Sequence, residues 1–318
     1  MFLAVVFVGL RVPFDDTIRP AQLPDHLDGY LAESEGRFSD LTPDTEKMIL
    51  WANEAHEATA LSIVYLHGFS AIRQETAPLC EHLARRIGAS VFQTRLTGHG
   101  RPGTALGDAT ANDWLNDAHE AFEIGCRIGR KVILLGVSTG GTLAVWLDLQ
   151  ADRKRIEALV LVSPNFRLKD KRAEMVTGPW GGEQVALALA GPEVSWQLRN
   201  ERHGRYWTSR YPTRALLPMI ALIKHVRKSD LERIEVPLLV AYSTADGSVD
   251  PPETEHCFAR FGSAKKRLVD LRGVSADEHV LAGDILAPAG TPRIEELILE
   301  FIAQRPEEPH NRRKSAES

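Results

Sequence analysis

Six short apolar runs constrain the fold of this chain more than any other feature of its sequence. They are residues 61–66, 89–92, 132–135, 158–162, 237–241 and 267–271. Continuous aliphatic and β-branched runs of this length are typical of strands that are buried on both faces of a sheet. Helical patterns separate several of these runs, and strands that alternate with helices are joined by right-handed crossovers. The sequence therefore predicts an α/β fold whose central sheet is mostly parallel and carries helices on both faces.

The helical patterns occupy residues 76–87, 110–128 and 139–149. Gly88 and Gly129 follow the ends of the first two patterns. Glycine just past a helix end commonly takes the left-handed conformation that closes the last turn. We therefore expect both glycines to be left-handed caps.

The alternation of strands and helices stops between residues 165 and 234. This segment is too long for a plain loop and has helical patterns and aromatic residues of its own, so we expect a helical cap over the carboxyl edge of the sheet. Residues 61–164 and 235–304 then form the core, and residues 1–60 are an N-terminal extension without an assigned role. Residues 305–318 are charged and lack apolar periodicity, which predicts a disordered tail.

Charge and the first ten residues limit the partners of the chain. A net charge of −5 and a pI near 6.1 give no electrostatic reason to bind nucleic acid, so a small-molecule partner is expected. Residues 1–10 are apolar but end at Arg11, about half of the roughly 20 residues needed to span a bilayer. They either pack on the domain or are the remnant of a membrane anchor. Cytoplasmic and membrane-associated locations therefore both stay open.

A serine lies where a buried strand is predicted to turn into a helix. The sequence GVSTG at residues 136–140 joins the run 132–135 to the helical pattern 139–149. This is the context of a nucleophile elbow, in which glycines on both sides permit a strained turn. An alcohol is a weak nucleophile at neutral pH, so it needs a base and fixed donors for an oxyanion. Ser138 is the predicted nucleophile.

The donors for an oxyanion are expected from two backbone N–H groups. Thr139 lies at the N-terminus of the helix that follows Ser138, and Phe69 lies in the loop after the run 61–66. His67 begins that loop, and we interpret it as a structural residue that braces the turn.

The base is expected late in the chain, because the order that accompanies a nucleophile elbow is serine, acid, histidine. Of the eleven histidines, only His279 and His310 follow the last apolar run, and His310 lies in the polar tail. His279 is therefore the predicted base. Asp246 and Asp250 both follow the run 237–241, and either carboxylate could orient the imidazole.

The motifs together resemble the α/β-hydrolase superfamily, in the branch of serine carboxylesterases and monoacylglycerol lipases. The resemblance covers roughly residues 63–302 and rests on LHGF from residue 66, GHG from 98, DW from 113, GVSTGG from 136, TADGSVDP from 244 and EHV from 278. It implies a triad of Ser138, Asp246 and His279, with Phe69 and Thr139 as oxyanion donors. One departure is the long segment before residue 61, and another is the stretch 95–97 before GHG, to which we attach no chemistry.

The implied activity is hydrolysis of carboxylic esters, either esters of short to medium acyl chains or monoacylglycerols, through an acyl-enzyme. It requires no cofactor and no metal, and the sequence contains no Walker loop, HExxH or dinucleotide fingerprint. A thioesterase, lysophospholipase or acyltransferase would use the same triad. A binding protein that keeps the fold without the reaction is an alternative of another class.

Apolar residues of the cap are expected to line an acyl pocket above Ser138. The alternative is that they pack only in the core of the cap itself. The candidates are Trp180, Trp196, Trp207 and an apolar helical face with Leu216, Leu217, Met219, Ile220 and Ile223.

Overall fold

The computed structural model describes residues 14–177 and 182–304. Its strands are β1 (Met48–Leu50), β2 (Thr59–Leu66), β3 (Ser90–Gln93), β4 (Gly129–Val137), β5 (Ile156–Val162), β6 (Glu193–Ser195), β7 (Arg210–Pro212), β8 (Leu238–Tyr242) and β9 (Lys266–Asp270). Its helices are α1 (Leu27–Gly36), α2 (Leu79–Ile87), α3 (Gly103–Asp108), α4 (Ala111–Ile128), α5 (Thr139–Gln150), α6 (Glu183–Ala190), α7 (Glu201–Tyr206), α8 (Leu216–Lys228), α9 (Pro251–Arg260) and α10 (Gly290–Ala303).

The main sheet has seven strands in the order β1-β3-β2-β4-β5-β8-β9. Strands β3, β2, β4, β5, β8 and β9 are parallel, and β1 pairs antiparallel with β3 at one edge. Side chains on β2 alternate between two cores: Val64 belongs to the core under α4 and α5, and Ile63 to the core under α2 and α10. Both faces are thus covered by helices, and the predicted mostly parallel sheet is confirmed.

The last strand differs from the expectation for the run 267–271. Strand β9 is an edge strand with partly exposed residues, because β8 is its single neighbour in the sheet. Burial on both faces was therefore a wrong expectation for this run. Its charged residues, Arg267 and Asp270, suit an edge position.

The two glycines expected to cap helices behave differently. Gly88 has φ of 63° and closes α2 in the left-handed region, as expected. Gly129 has φ of −153° and is the extended first residue of β4, so the expectation of a left-handed cap was wrong there. A Cβ atom on Gly129 would lie 2.6 Å from Ser62. This position requires glycine because the neighbouring strand β2 approaches closely.

Part of the N-terminal extension is integrated into the core. Strand β1 extends the main sheet, and α1 places the carboxylate of Glu35 against the guanidinium of Arg95. Glu35 Oε2 and Oε1 accept from Arg95 Nε and Nη2 at 2.6 and 2.8 Å, and both side chains are buried. Arg95 Nη1 also donates to the carbonyl of His99. The stretch before the GHG motif therefore links α1 to the loop of His99.

Residues 165–234 lie between β5 and β8, and their assignment as the cap stays a proposal. They include α6, α7, α8 and the antiparallel pair of β6 and β7. Buried residues of α8, such as Leu222 and Val226, belong to the same core as α4 and α5. Helix α8 thus anchors the cap to the sheet domain.

Within residues 14–177 and 182–304, no helix combines the length and apolar character needed to cross a membrane. The apolar segment 1–10 and the predicted tail 305–318 lie outside the described residues. Both interpretations of residues 1–10 stay predictions.

Candidate active site

Ser138 occupies a sharp turn between β4 and α5. Its φ of 52° and ψ of −117° are strained for a residue with a side chain, a feature that clusters at functional sites. The flanking glycines permit the turn. A Cβ atom on Gly136 would lie 2.4 Å from the carbonyl oxygen of Gly140, and one on Gly140 would lie 2.0 Å from that of Leu66. Larger residues at either position would push the turn away from the sheet.

The structure brings Ser138, His279 and Asp246 together from three loops that follow β4, β9 and β8. His279 Nε2 lies 3.1 Å from Ser138 Oγ, and His279 Nδ1 lies 2.7 Å from Asp246 Oδ2. A carboxylate only accepts, so Nδ1 carries the proton and Nε2 presents its lone pair to the serine hydroxyl. The imidazole is therefore in the tautomer that a general base requires.

Backbone contacts hold the carboxylate of Asp246. It is 2% exposed, and its Oδ1 accepts the N–H groups of Ser248 and Val249 at 2.7 and 3.0 Å. This arrangement aims Oδ2 at the imidazole.

The loop of His279 is fixed by residues that the sequence reasoning missed. Ser163, directly after β5, donates its hydroxyl to the carbonyl of His279 at 2.7 Å. Glu278 has φ of 63°, and its carboxylate accepts from the hydroxyl of Ser243. Asp277 Oδ1 accepts the N–H of Val280 at 3.0 Å. Sequence position was the available signal for these residues. Ser163 and Ser243 directly follow buried strands, and Asp277 and Glu278 directly precede His279.

Two opposing effects act on the imidazole of His279. Burial alone would lower its pKa, but the hydrogen bond and negative charge of Asp246 outweigh burial. The charges of Asp277 and Glu75 act in the same direction as Asp246. The pKa of His279 therefore lies above its ordinary value of 6.5.

This direction predicts the acid limb of the activity profile. His279 must be neutral to accept a proton, so kcat/KM should rise with pH through a pKa above the ordinary value of 6.5. In Asp277→Asn one neighbouring negative charge is lost, so the same limb should move to lower pH while the plateau changes little. Ester hydrolysis measured from acid to neutral pH for both proteins tests this. A wild-type limb centred below 6.5 would contradict the description.

Asp250 lies away from the imidazole. It occupies the N-cap position of α9, directly before two prolines, but its side chain makes no cap hydrogen bond. Its Oδ2 accepts instead from Arg167 Nε at 2.8 Å, and Glu253 pairs with the same guanidinium. The carboxylate thus ties α9 to the segment after β5.

Two backbone N–H groups beside Ser138 are available for an oxyanion. Among the described residues, the N–H groups of Phe69 and Thr139 have no hydrogen-bond acceptor. Thr139 is the first residue of α5, where N–H groups point out of the helix and favour negative charge.

His67 supports the loop of Phe69 through hydrogen bonds at both nitrogens of its ring. It is fully buried, donates from Nδ1 to the carbonyl of Gly68 at 2.9 Å and accepts the N–H of Leu96 at Nε2 at 3.0 Å. Burial lowers the pKa of His67 to about 4. The neutral ring that results can accept at Nε2. The structure thus places His67 as a support for this loop and not as the base.

A cavity of about 430 Å³ lies above Ser138. Its apolar lining comes largely from the cap and the loop of Phe69. These residues are Phe69, Leu168, Trp196, Trp207, Tyr211, Leu216, Met219, Val249, Val280 and Leu286. The polar lining is Ser70, Glu75, Ser138, Asn165, Gln197, Arg199, His203, Ser248, Asp277 and His279.

Three of the expected residues of α8 do not line this cavity. Leu217, Ile220 and Ile223 pack with the core beneath α8, whereas Leu216 and Met219 contact the same core and also line the cavity. Successive helix residues are rotated by about 100°. Neighbouring positions on α8 therefore differ in whether their side chains also reach the cavity. Trp180 lies outside the described residues.

Comparisons with known proteins agree with this architecture. The model of the family described as serine aminopeptidase, S33, matches residues 57–275. A thermostable monoacylglycerol lipase from Bacillus sp. (strain H-257) is 27% identical over 247 residues, which cover 77% of this chain and 91% of that protein.

Solved structures show the same fold. One, described under LipS and LipT, two metagenome-derived lipolytic enzymes, has a TM-score of 0.67 at 22% identity and covers 82% of this chain and 98% of its own. A soluble variant of monoglyceride lipase from Saccharomyces cerevisiae has a TM-score of 0.62 at 16% identity and covers 81% and 91%. Because the family model spans more than half of the sequence, the chain belongs to the α/β-hydrolase family described as serine aminopeptidase, S33, in the branch that resembles esterases and monoacylglycerol lipases.

Proposed function

We propose that the chain is a serine hydrolase that cleaves carboxylic esters through an acyl-enzyme on Ser138. The observation that carries the proposal is the contact of His279 with both Ser138 and Asp246 at the floor of the cavity. This arrangement supplies a hydroxyl nucleophile, an imidazole base in the tautomer that acyl transfer needs, and a carboxylate that orients the imidazole.

In the acylation step, His279 Nε2 takes the hydroxyl proton while Ser138 Oγ bonds to the ester carbonyl carbon. The carbonyl oxygen becomes an oxyanion, which the N–H groups of Phe69 and Thr139 stabilise. The C–O bond to the alcohol then breaks, and the imidazolium gives its proton to the leaving alkoxide. Asp246 balances the charge of the imidazolium during both steps.

In the second step, water replaces the alcohol. His279 takes a proton from the water as its oxygen attacks the acyl carbon, and returns that proton to Ser138 Oγ as the acid leaves. An alcohol or a thiol that occupied the place of water would give acyl transfer instead of hydrolysis.

The substrate class that we propose is esters of short to medium acyl chains, or monoacylglycerols. The Bacillus relative is named a monoacylglycerol lipase, and this supports a lipid ester. The apolar lining by Trp196, Trp207 and Leu216 supports an acyl chain in the cavity. A volume of about 430 Å³ is near the lower end of the usual range for ligand pockets, which supports a limited chain length.

A panel of substrates tests the proposed class. Purified protein is assayed with p-nitrophenyl esters of increasing acyl length, monoacylglycerols, acyl thioesters, lysophospholipids and amino-acid p-nitroanilides. We expect the highest kcat/KM with short to medium esters or monoacylglycerols. The anilides are included because the matched family is described by a peptidase, and preference for them would overturn the ester assignment. Absence of turnover across the panel would favour a binding protein.

The cap prediction compares two adjacent leucines on α8. Leu216→Ala enlarges the cavity, so we expect the preferred acyl length to shift toward longer chains. Leu217→Ala is the matched control, because Leu217 packs against the same core without lining the cavity, and it should leave the chain-length profile unchanged. Both leucines are half-buried, so we expect both variants to lose less stability than the roughly 2–5 kcal/mol typical of a fully buried leucine. Assays on the p-nitrophenyl ester series, with thermal melts, measure both. Equal profiles for the two variants would contradict a cap contribution to chain length.

Membrane association through residues 1–10 is part of the proposal, although these residues lie outside the described part of the chain. Cap residues support a lipid-facing surface, because Met175, Leu187, Leu189 and Leu198 are large, apolar and exposed. Sedimentation of the full chain with phosphatidylcholine vesicles, beside a chain that lacks residues 1–10, tests it. Equal sedimentation of both proteins would contradict a contribution from this segment.

A further inference from the structure

Two buried polar side chains outside the proposed triad contact the loop that carries Phe69. They are Glu75, in a turn that follows this loop, and His99, in the GHG motif. Both have relative exposures of 3% or less. Neither gives or takes a proton in the steps described above, and the effect of the Glu75 charge on the pKa of His279 does not explain their contacts with the loop.

Glu75 holds the loop on the side that precedes Phe69. Its Oε2 accepts the N–H of Gly68 at 2.9 Å and the hydroxyl of Tyr65 at 3.1 Å. A Cβ atom on Gly68 would lie 2.7 Å from Glu75 Oε1 and 3.3 Å from Ser138 Cβ. The carboxylate therefore packs against the loop immediately beside the nucleophile.

The carboxyl group of Glu75 is buried without a cationic side chain beside it. Within residues 14–177 and 182–304, no lysine or arginine forms an ion pair with it. Burial raises the pKa of Glu75, while the bond from Gly68 opposes that rise. Burying a carboxyl group without a cation is costly unless hydrogen bonds compensate. The donors from Gly68 and Tyr65 supply that compensation, which couples the position of Glu75 to that of the loop.

His99 holds the loop on the side that follows Phe69. Its Nε2 accepts the N–H of Ser70 at 3.0 Å, and its Nδ1 donates to the carbonyl of Thr97 at 3.2 Å. Its ring also meets the ring of Phe69 edge-on at 5.9 Å between centroids. Burial lowers the pKa of His99 well below its ordinary value, which keeps Nε2 free to accept.

The geometry of the peptide bond connects these contacts to the N–H of Phe69. The peptide group between Gly68 and Phe69 is planar, so its N–H points opposite to its carbonyl, which His67 holds. Glu75 fixes the N–H of the residue before Phe69, and His99 fixes that of the residue after it. Rotation of the peptide group that carries the Phe69 N–H would break at least one of these bonds.

We propose that Glu75 and His99 are positioning residues that hold the N–H of Phe69 in the direction of the oxyanion. The proposal rests on the proposed function, because the oxyanion forms only if Ser138 attacks a carbonyl. Removal of an oxyanion donor typically lowers kcat by 10²–10³-fold. A donor that remains but is loosely held should lose part of that factor, about 10–10²-fold.

The test compares Glu75→Gln with Glu75→Leu. Glutamine keeps an oxygen that accepts from Gly68 and Tyr65, while leucine has a similar size and no acceptor. We expect Glu75→Leu to lower kcat for a p-nitrophenyl ester by about 10–10²-fold with KM changed by less than about 3-fold, and Glu75→Gln to stay within about 3-fold of wild type. The same comparison of His99→Gln with His99→Leu reports on the other side of Phe69.

A second readout separates positioning from general damage. An alkyl trifluoromethyl ketone adds to Ser138 and places a negatively charged oxygen where the oxyanion forms. Its affinity should fall in Glu75→Leu by the same factor as kcat/KM. A merely structural role would lower the melting temperature without this parallel loss.

Several outcomes would overturn the proposal. They are a folded Glu75→Leu variant with wild-type kcat, equal losses in the glutamine and leucine variants, or lower kcat with unchanged affinity for the ketone. If Glu75→Leu does not fold, the His99 pair decides by the same criteria. Failure of the proposed function is distinguishable, because wild type itself would then neither hydrolyse esters nor bind the ketone.

Discussion

Ser138→Ala and His279→Ala should each lower kcat/KM for esters by roughly 10⁴-fold to 10⁶-fold. Alanine at position 138 removes the atom that bonds to the acyl carbon, and alanine at 279 removes the base 3.1 Å from it. Folding should change little in Ser138→Ala, since alanine is no larger than serine and occupies the same strained turn. Initial rates with a p-nitrophenyl ester, beside thermal melts, measure both effects.

The double variant provides the control for this prediction. Members of a triad act as a unit, so removing Ser138 and His279 together should cost no more than removing either alone. Additive losses would indicate independent roles. Retention of more than about a tenth of wild-type activity in either single variant would contradict the assignment, because triad losses span several orders of magnitude.

Asp246→Asn should lower kcat by about 10⁴-fold while the protein stays folded. The amide oxygen can keep the bonds from Ser248 and Val249 that now reach Oδ1. The amide NH₂ would then face His279 Nδ1 and donate to it, which places the ring proton on Nε2 and turns it toward Ser138. That tautomer cannot accept the serine proton, and the amide cannot balance the imidazolium charge. Measured kcat and a melt for the variant check both parts.

Asp250→Asn is the matched control, a carboxylate four residues later in the same turn. It loses the charged bonds to Arg167, so we expect stability to fall by about 1.5–3 kcal/mol and kcat to stay within a few-fold of wild type. Denaturant unfolding and initial rates separate the two effects. A severe loss of kcat confined to Asp250→Asn would reverse the assignment of the acid.

The sheet and the position of Ser138 followed from local patterns. Apolar runs predict buried strands whatever their partners, and GVSTG between a strand and a helix indicates a strained turn. Asp246 and Asp250 could not be separated from composition, since both follow β8 and both need a carboxylate. The contact that separates them is the bond from Arg167 to Asp250, which joins residues far apart in sequence.

The features that sequence reasoning missed depend on tertiary contacts. The bond between Glu35 and Arg95 joins the extension to the GHG loop, and no local pattern announces a pair 60 positions apart. The apolar face of α8 was predicted as a whole, but which of its leucines reaches the cavity, Leu216 and not Leu217, depends on how the helix packs on the core. Gly129 looked like a helix cap, but the approach of Ser62 explains it.

The most direct test of the account is covalent labelling of the protein with a fluorophosphonate, read by intact mass and peptide mapping. A fluorophosphonate bonds to a serine oxygen that a neighbouring base activates, and fluoride leaves. The account predicts one adduct, on Ser138, that forms more slowly in His279→Ala and is absent from Ser138→Ala. An adduct on another serine, or none on folded protein that hydrolyses esters, would contradict it.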